Sequence, residues 1–186
     1  MKKKIGSFIL KCLGWHLDVD VNDKRKNHCV LIAAPHTSNW DFVYAIAALW
    51  TLEIPVRFLI KDFYTRYILW GWFFKALGGI GVNRSQRNNL TDYIAQLLKE
   101  NDNLSLLLTP EGTRSRVDVW KSGFYKIARE SNLPIGIAYI DASRKTAGVM
   151  DFIEPTDDYK ETLSIIRSYY SNVQGINPEN WNPDFK

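Results

Sequence analysis

Residues 30–51 read VLIAAPHTSNWDFVYAIAALWT, and they contain a short apolar run, a polar turn and a longer apolar stretch. The run Val30–Ala34 has no polar side chain and the length of a buried β-strand. The stretch from about residue 39 to 51 is long enough for a helix. A strand, a polar turn and a helix in this order are typical of α/β proteins, in which helices connect parallel strands.

The same alternation continues along the rest of the chain. Further strands are predicted at 56–60, 104–108, 135–140 and near 149–153, and further helices at 62–77, 90–100, 121–130 and 159–170. The sequence therefore predicts one α/β domain over residues 1–186, an αβα sandwich around a central, largely parallel or mixed sheet. Residues 175–186 contain two prolines and are predicted to form an extended tail.

The 186 residues carry a formal net charge of +4 that is unevenly distributed. Residues 1–30 have seven basic and three acidic side chains, residues 31–150 have 14 and ten, and residues 151–186 have three and seven. A basic surface favours nucleic acid, a phosphorylated small molecule or an anionic membrane leaflet as partner. Nucleic acid is not expected, because the basic residues are spread among polar junctions instead of lying along one helix.

The cysteines and the apolar runs limit the location of the protein. Cys12 and Cys29 are too few for a disulfide framework and lack a metal-binding spacing, which fits a reducing compartment. The longest apolar run, residues 42–50, has nine residues, far fewer than the roughly 20 that span a bilayer. We therefore expect a cytoplasmic protein without a transmembrane segment.

Residues 1–16 are predicted to form a basic amphipathic helix. The apolar residues on one face of this helix are Ile5, Phe8, Ile9, Cys12 and Trp15. Lysines cluster at its start, a pattern typical of helices that lie in a membrane interface. The alternative is an ordinary helix that packs its apolar face on the core, and the tryptophan with the lysines favours the membrane slightly.

Side chains suited to catalysis follow the first strand, at a junction where α/β sheets bind their ligands. His36 lies just past the strand, and Asp41 lies five residues later in the first turn of the helix. The imidazole can act as a general base, and the carboxylate can fix its tautomer. The segment from Ser38 to Asp41 also fits a capping box, in which the carboxylate accepts a backbone amide instead. The local sequence leaves both roles open.

Two other junctions carry groups suited to binding an anion. Arg84 follows a glycine-rich turn at 78–81, and its guanidinium could bind a phosphate with two hydrogen bonds. A surface arginine after an edge strand is the alternative. The groups that follow the strand at 104–108 are the Glu111 carboxylate, the Gly112 amide, the Thr113 hydroxyl and the Arg114 guanidinium. A P-loop motif is absent, so a nucleotide phosphate held in that way is not expected.

The order of these groups resembles the glycerolipid acyltransferase family typified by 1-acylglycerol-3-phosphate acyltransferase, the PlsC-like enzymes. The matching blocks are the HX4D pair His36 and Asp41, the glycine-rich stretch ending at Arg84, the run PEGTRS at 110–115, and Pro134 in a hydrophobic strand. Lys61, Gly71, Lys121 and Gly123 are lesser matches. The resemblance covers roughly residues 30–140 and implies the αβα fold of the glycerol-3-phosphate acyltransferases.

The resemblance also implies a reaction. A fatty acyl group would move from acyl-CoA or acyl carrier protein to the hydroxyl of a lysophospholipid, foremost 1-acylglycerol 3-phosphate, giving phosphatidic acid. The implied roles are general base for His36, orientation of that base for Asp41, phosphate binding for Arg84, Thr113 and Arg114, binding of the acceptor near its hydroxyl for Glu111, substrate binding for Gly112, and an acyl pocket at Pro134. Neither a metal nor a cofactor is expected. Direct transfer is preferred to an acyl-enzyme because neither cysteine lies in a motif.

Departures from the family pattern bear on the acceptor and on the membrane. Pro35, Thr109, Gly136 and Ala138 replace residues common in the family, so a polyol, an amino-acid lipid or a lipopolysaccharide precursor is an alternative acceptor. A non-catalytic protein that binds anionic lipid is a further alternative. The resemblance implies peripheral binding to the inner face of the cell membrane, through residues 1–16 and the aromatic stretch 63–74, for which the alternative is a place in the core. Nothing in the sequence indicates an oligomeric state.

Overall fold

A seven-stranded sheet forms the centre of the structure, a computed structural model that describes residues 1–18, 21–61, 68–82 and 90–186. The strands are β1 (His16–Leu17), β2 (Val30–Ala34), β3 (Val56–Lys61), β4 (Gly79–Val82), β5 (Ser105–Leu108), β6 (Ile135–Asp141) and β7 (Thr146–Ile153). Their spatial order is β1-β7-β6-β2-β5-β3-β4. Only β6 and β7 pair in the antiparallel sense within these described ranges. The prediction of a largely parallel or mixed sheet is confirmed.

Helices cover both faces of the sheet. They are α1 (Lys2–Cys12), α2 (Trp40–Thr51), α3 (Ile68–Leu77), α4 (Leu90–Lys99), α5 (Gly123–Ser131) and α6 (Tyr159–Tyr170), with short 3-10 helices at Lys24–Asn27 and Pro178–Asn180. Successive side chains of β2 point to opposite faces, as a strand requires. Ile32 packs with α4, α5 and α6, whereas Leu31 packs with α2. This arrangement confirms the predicted αβα sandwich.

The predicted elements agree with the structure to within a few residues. The largest shifts are in the N-terminal helix, which was predicted over residues 1–16 but ends at Cys12, and in β7, which starts at Thr146, three residues before its predicted start. Of the helix predicted at 62–77, the part from Ile68 to Leu77 is helical, and 62–67 lie outside the described residues. The glycine-rich stretch at 78–81, predicted to be a turn, contributes to the edge strand β4 instead.

The N-terminal helix packs on α2, but not through the whole predicted face. Gly6 and Leu10 are its buried residues, and a Cβ atom on Gly6 would overlap the carbonyl oxygen of Ala47. Trp15 is also buried and stacks on Tyr44, with 4.0 Å between the ring centroids. A glycine thus permits close packing on α2 beside the predicted apolar face.

Three other residues of that face point away from the core, whereas Ile9 is partly buried and packs against it. Phe8 is 67% exposed and Ile5 is 43% exposed, and Cys12 is exposed as well. None of the helices in the described part of the chain is both long enough and apolar enough to cross a membrane.

The C-terminal residues, predicted as an extended tail, pack against the core. Trp181 and Phe185 are buried beside α5 and α6. The ring of Phe185 stacks on Trp120, with 3.6 Å between centroids and an angle of 5° between planes. The segment 175–186 thus follows the α4–α6 face of the sheet, and two aromatic side chains anchor it there.

Candidate active site

The carboxyl ends of two neighbouring strands position the candidate site. β2 and β5 are parallel and adjacent, with Ile32 in register with Leu108. The residues after β2 and those after β5 therefore leave the sheet at the same edge. This topology brings the polar segment 35–41 next to the segment 109–115.

His36 and Asp41 lie close together at this edge. The His36 Nδ1 atom is 3.7 Å from Asp41 Oδ2, an ion-pair distance that is too long for a hydrogen bond. The His36 side chain is 17% exposed, and the Asp41 side chain is 3% exposed. The imidazole thus has access to solvent, while the carboxylate lies behind it.

Asp41 also fixes the backbone of the turn. Its Oδ2 accepts hydrogen bonds from the Thr37 amide at 2.5 Å and from the Ser38 amide at 2.7 Å. The capping interaction and the proximity to His36 therefore occur together, at one oxygen atom. The second oxygen, Oδ1, is buried and has no hydrogen-bond partner within the described residues.

Glu111 connects the second polar segment to the first. It is 5% exposed, and its carboxyl group accepts a hydrogen bond from the backbone amide of His36. Its Oε2 is buried without a hydrogen-bond partner in the described part of the chain. The backbone of His36 is therefore held from the β5 side of the site.

Burial favours the uncharged forms of these side chains. Burial and then the positive charge of Arg114 lower the pKa of His36 to about 4. Burial raises the pKa of Glu111 to about 8, with a further contribution from the charge of Asp41. Burial also raises the pKa of Asp41, although the amides of Ser38 and Thr37 oppose this shift. At pH 7, a neutral imidazole therefore faces solvent, and a neutral imidazole can accept a proton.

Two basic side chains, those of Arg114 and Lys121, lie at the solvent-exposed opening of the site. Arg114 is exposed, and its charge acts on both His36 and Asp41. Gly112 has a φ of +68°, and a Cβ atom there would overlap the side chain of Lys121, which therefore lies across it. Thr113 is exposed and its hydroxyl accepts a hydrogen bond from the Ser115 amide at 3.3 Å. These groups can bind an anionic ligand at the mouth of the site.

Two predicted site residues are not part of the geometry described above. Arg84 lies outside the described residues. Pro134 is buried at the opposite end of the sheet, where its carbonyl accepts a hydrogen bond from the Val30 amide. Because β2 rises about 3.3 Å per residue, Pro134 is more than about 10 Å from the strand end that precedes His36. The acyl pocket expected at Pro134 is therefore not adjacent to His36.

The glycines before Arg84 have a structural reason. A Cβ atom on Gly78 would lie 2.6 Å from the carbonyl oxygen of Val56, and Gly78 has a φ of +110°. The predicted close approach is therefore that of the backbone to β3, and no ligand is needed to explain Gly78.

Two residues at the site were not expected from the sequence. Gly175 and Asn177, in the C-terminal segment, contact Pro35 and Thr37 on either side of His36. They are about 140 positions away in the chain and belong to no recognised motif. Within the described ranges, this site included, no cluster of three or more His, Cys, Asp or Glu side chains could hold a metal ion.

Comparisons with known proteins agree with this geometry. The fold is similar to the crystal structure of the 1-acyl-sn-glycerophosphate (LPA) acyltransferase PlsC from Thermotoga maritima, with a TM-score of 0.63 and 17% sequence identity. The similarity covers 90% of this chain and 74% of that chain. No curated protein matches the sequence significantly. The family model named Acyltransferase matches residues 16–140. Because this match includes most of the chain, the protein belongs to the Acyltransferase family.

Proposed function

We propose that this acyltransferase moves a fatty acyl group from a thioester, acyl-CoA or acyl carrier protein, to the hydroxyl of a lysophospholipid. The preferred acceptor is 1-acylglycerol 3-phosphate, which would give phosphatidic acid. The observation that carries the proposal is the partly exposed imidazole of His36, which lies 3.7 Å from the buried carboxylate of Asp41. The choice of acceptor is supported by the similar fold of the Thermotoga maritima PlsC, a 1-acyl-sn-glycerophosphate (LPA) acyltransferase.

His36 would act as the general base. Its imidazole takes the proton from the acceptor hydroxyl while that oxygen attacks the thioester carbonyl carbon. The tetrahedral intermediate then expels the thiolate, and the imidazolium returns its proton to the sulfur. The products are an ester and a free thiol. The reaction written in this way requires no metal or redox cofactor.

Asp41 would support that base in two ways. Its Oδ2 holds the Thr37 and Ser38 amides, which fixes the turn that carries His36. The same atom lies 3.7 Å from Nδ1, so the positive charge formed on the imidazole during the reaction would be stabilised by the carboxylate.

The opening of the site would hold the acceptor. The guanidinium of Arg114, together with the Thr113 hydroxyl and the Gly112 backbone, would bind the phosphate, and Arg84 is proposed as a second guanidinium. Glu111 is protonated at pH 7, so its buried carboxyl group would donate a hydrogen bond near the acceptor hydroxyl.

Membrane binding would bring the enzyme to its acceptor. We place the protein at the inner face of the cell membrane, bound through α1 and the aromatic residues of α3. Phe8 on α1 and Trp72 and Phe73 on α3 are exposed to 67%, 75% and 45%. Lysines 2–4 lie at the start of α1 and would face anionic headgroups.

A panel of acceptors tests the substrate. Purified protein should acylate 1-acylglycerol 3-phosphate, and Arg114→Ala should raise the KM for this acceptor about tenfold, because one charge-assisted phosphate contact is lost. Arg167→Ala, an exposed arginine on α6, is the matched control and should leave the KM unchanged. Preference for a polyol, an amino-acid lipid or a lipopolysaccharide precursor that lacks this phosphate would reject the proposed acceptor. Lipid binding without thioester consumption would reject catalysis.

A further inference from the structure

The C-terminal segment 175–186 lies outside the part of the chain that matches the family model, yet it contacts the site. The family match ends at residue 140. A Cβ atom on Gly175 would lie 2.7 Å from Thr37 Cγ2 and 3.2 Å from Pro35 Cβ. The segment therefore passes directly against the two residues that flank His36.

Asn177 makes two hydrogen bonds to one of these residues. Its backbone amide donates to the Thr37 hydroxyl at 3.1 Å, and its side-chain amide donates to the Thr37 carbonyl oxygen at 2.8 Å. Thr37 is 2% exposed and Asn177 is half-buried, so both bonds are partly buried. Two bonds from one residue fix both the position and the orientation of Thr37.

The other end of the segment is attached to the residues that follow the second polar segment. The Arg116 guanidinium donates to the Trp181 carbonyl oxygen and to Asn182 Oδ1. The Asn182 side-chain amide donates to Asp118 Oδ1 at 3.0 Å. Backbone bonds join Lys186 to Asp118 and to Trp120, at 2.7 and 2.8 Å. These contacts anchor the segment independently of its contact with Thr37.

We propose that residues 175–186 hold the two polar segments of the site in register, and that Asn177 is a positioning residue for His36. This inference rests on the proposed function. Asn177 fixes Thr37, and the Thr37 amide in turn donates to Asp41 Oδ2 at 2.5 Å. The carboxylate beside the imidazole is thus linked to the C-terminal segment through a single residue.

Asn177→Ala tests the inference because it removes the bond to the Thr37 carbonyl and leaves the backbone bond possible. The expected result is a kcat about tenfold lower with KM values for donor and acceptor changed by less than about twofold, since geometry at the base is altered and substrate contacts are not. Asn172→Ala, in the exposed turn after α6, is the matched control and should retain the parent kcat.

A stability control separates positioning from a general loss of structure. Ile166 is fully buried in α6, and Ile166→Val should lower the Tm by about 3 °C, comparable to Asn177→Ala. Measured well below the Tm, Ile166→Val should keep its kcat. A loss of kcat that is equal in both variants would overturn the positioning role, as would a parent-like kcat in Asn177→Ala.

Hydrogen–deuterium exchange gives a readout that does not require activity. The amides of Thr37 and Ser38 should exchange faster in Asn177→Ala than in Asn172→Ala or Ile166→Val, because the turn is no longer held. If the parent transfers no acyl group and this exchange still increases, the proposed function fails while the structural link is retained. Unchanged exchange at these amides overturns the link itself.

Discussion

At the scale of single residues, burial shifts the pKa values of the acid Glu111 and the base His36 in opposite directions. The pKa of His36 falls to about 4 and that of Glu111 rises to about 8, so both groups are uncharged at pH 7. A charged side chain is costly to bury, and each group avoids that cost by changing its proton occupancy. The neutral imidazole is the form that a general base requires.

The free energy of unfolding of the Glu111→Gln variant should increase relative to that of the parent as the pH rises. The unfolded chain releases the Glu111 proton near pH 4.5, whereas the folded protein keeps it until about pH 8. The stability that this carboxyl group contributes is therefore complete below pH 4.5 and is lost as the pH rises through 8. Glutamine has no such proton and still offers an oxygen to the His36 amide.

The measurement is the free energy of unfolding of both proteins from pH 4.5 to 7, by urea denaturation. The free energy of unfolding of Glu111→Gln, relative to that of the parent, should rise by roughly 3 kcal/mol over this range. The contribution of His36 to the free energy of unfolding rises with pH between about 4 and 6.5. Because both proteins contain His36, this contribution cancels when they are compared. A difference that does not vary with pH would show that the Glu111 pKa is ordinary.

The roles of Asp41 illustrate the limit of local sequence at this scale. Its spacing from His36 and its place in a capping box are both visible in the sequence, and both contacts occur in the structure. Their coexistence depends on the fold of the turn, because a single oxygen atom meets two amides and lies near the imidazole. The contact between Glu111 and the His36 amide depends on the adjacency of β2 and β5, which no local pattern encodes.

At the scale of elements, apolar runs predicted the strands well because the sheet is covered on both faces. All side chains of β2 and β6 are buried, so an uninterrupted apolar run is what such a strand requires. The packing of the N-terminal helix was harder to predict, because its close contact with α2 is made at Gly6, which has no side chain. Burial of the C-terminal segment rests on Trp181 and Phe185, and two apolar residues are too few to establish a periodic pattern.

The exposed side of α1 should contribute to membrane binding. Phe8→Ser should weaken binding to vesicles that contain anionic lipid by about tenfold, because one large apolar side chain no longer enters the interface. Tyr93→Ser is the matched control, since Tyr93 is 55% exposed on α4, which covers the opposite face of the sheet. Vesicle sedimentation measures both. Equal binding by Phe8→Ser and the parent would show that α1 does not contribute to membrane binding.

At the scale of the whole molecule, the order of strands and helices was sufficient to predict the fold class. It was not sufficient to place Pro134, because a proline beside a strand can lie at either end, and here it lies at the end away from His36. The antiparallel pairing of β6 and β7 also follows from a short connection that the sequence did not single out. The fold brings together the segments after β2 and β5, and the C-terminal residues complete this edge.

The central claim is that His36 is the base of an acyl transfer from a thioester to a lysophospholipid hydroxyl. The most direct measurement compares ester formation and thiol release by the parent, His36→Ala and His16→Ala, with 1-acylglycerol 3-phosphate as acceptor. His16 is exposed on β1 and serves as the matched histidine control. We expect equal amounts of ester and thiol from the parent and from His16→Ala, and a rate at least about 100-fold lower from folded His36→Ala. Transfer by His36→Ala at the parent rate would contradict the account.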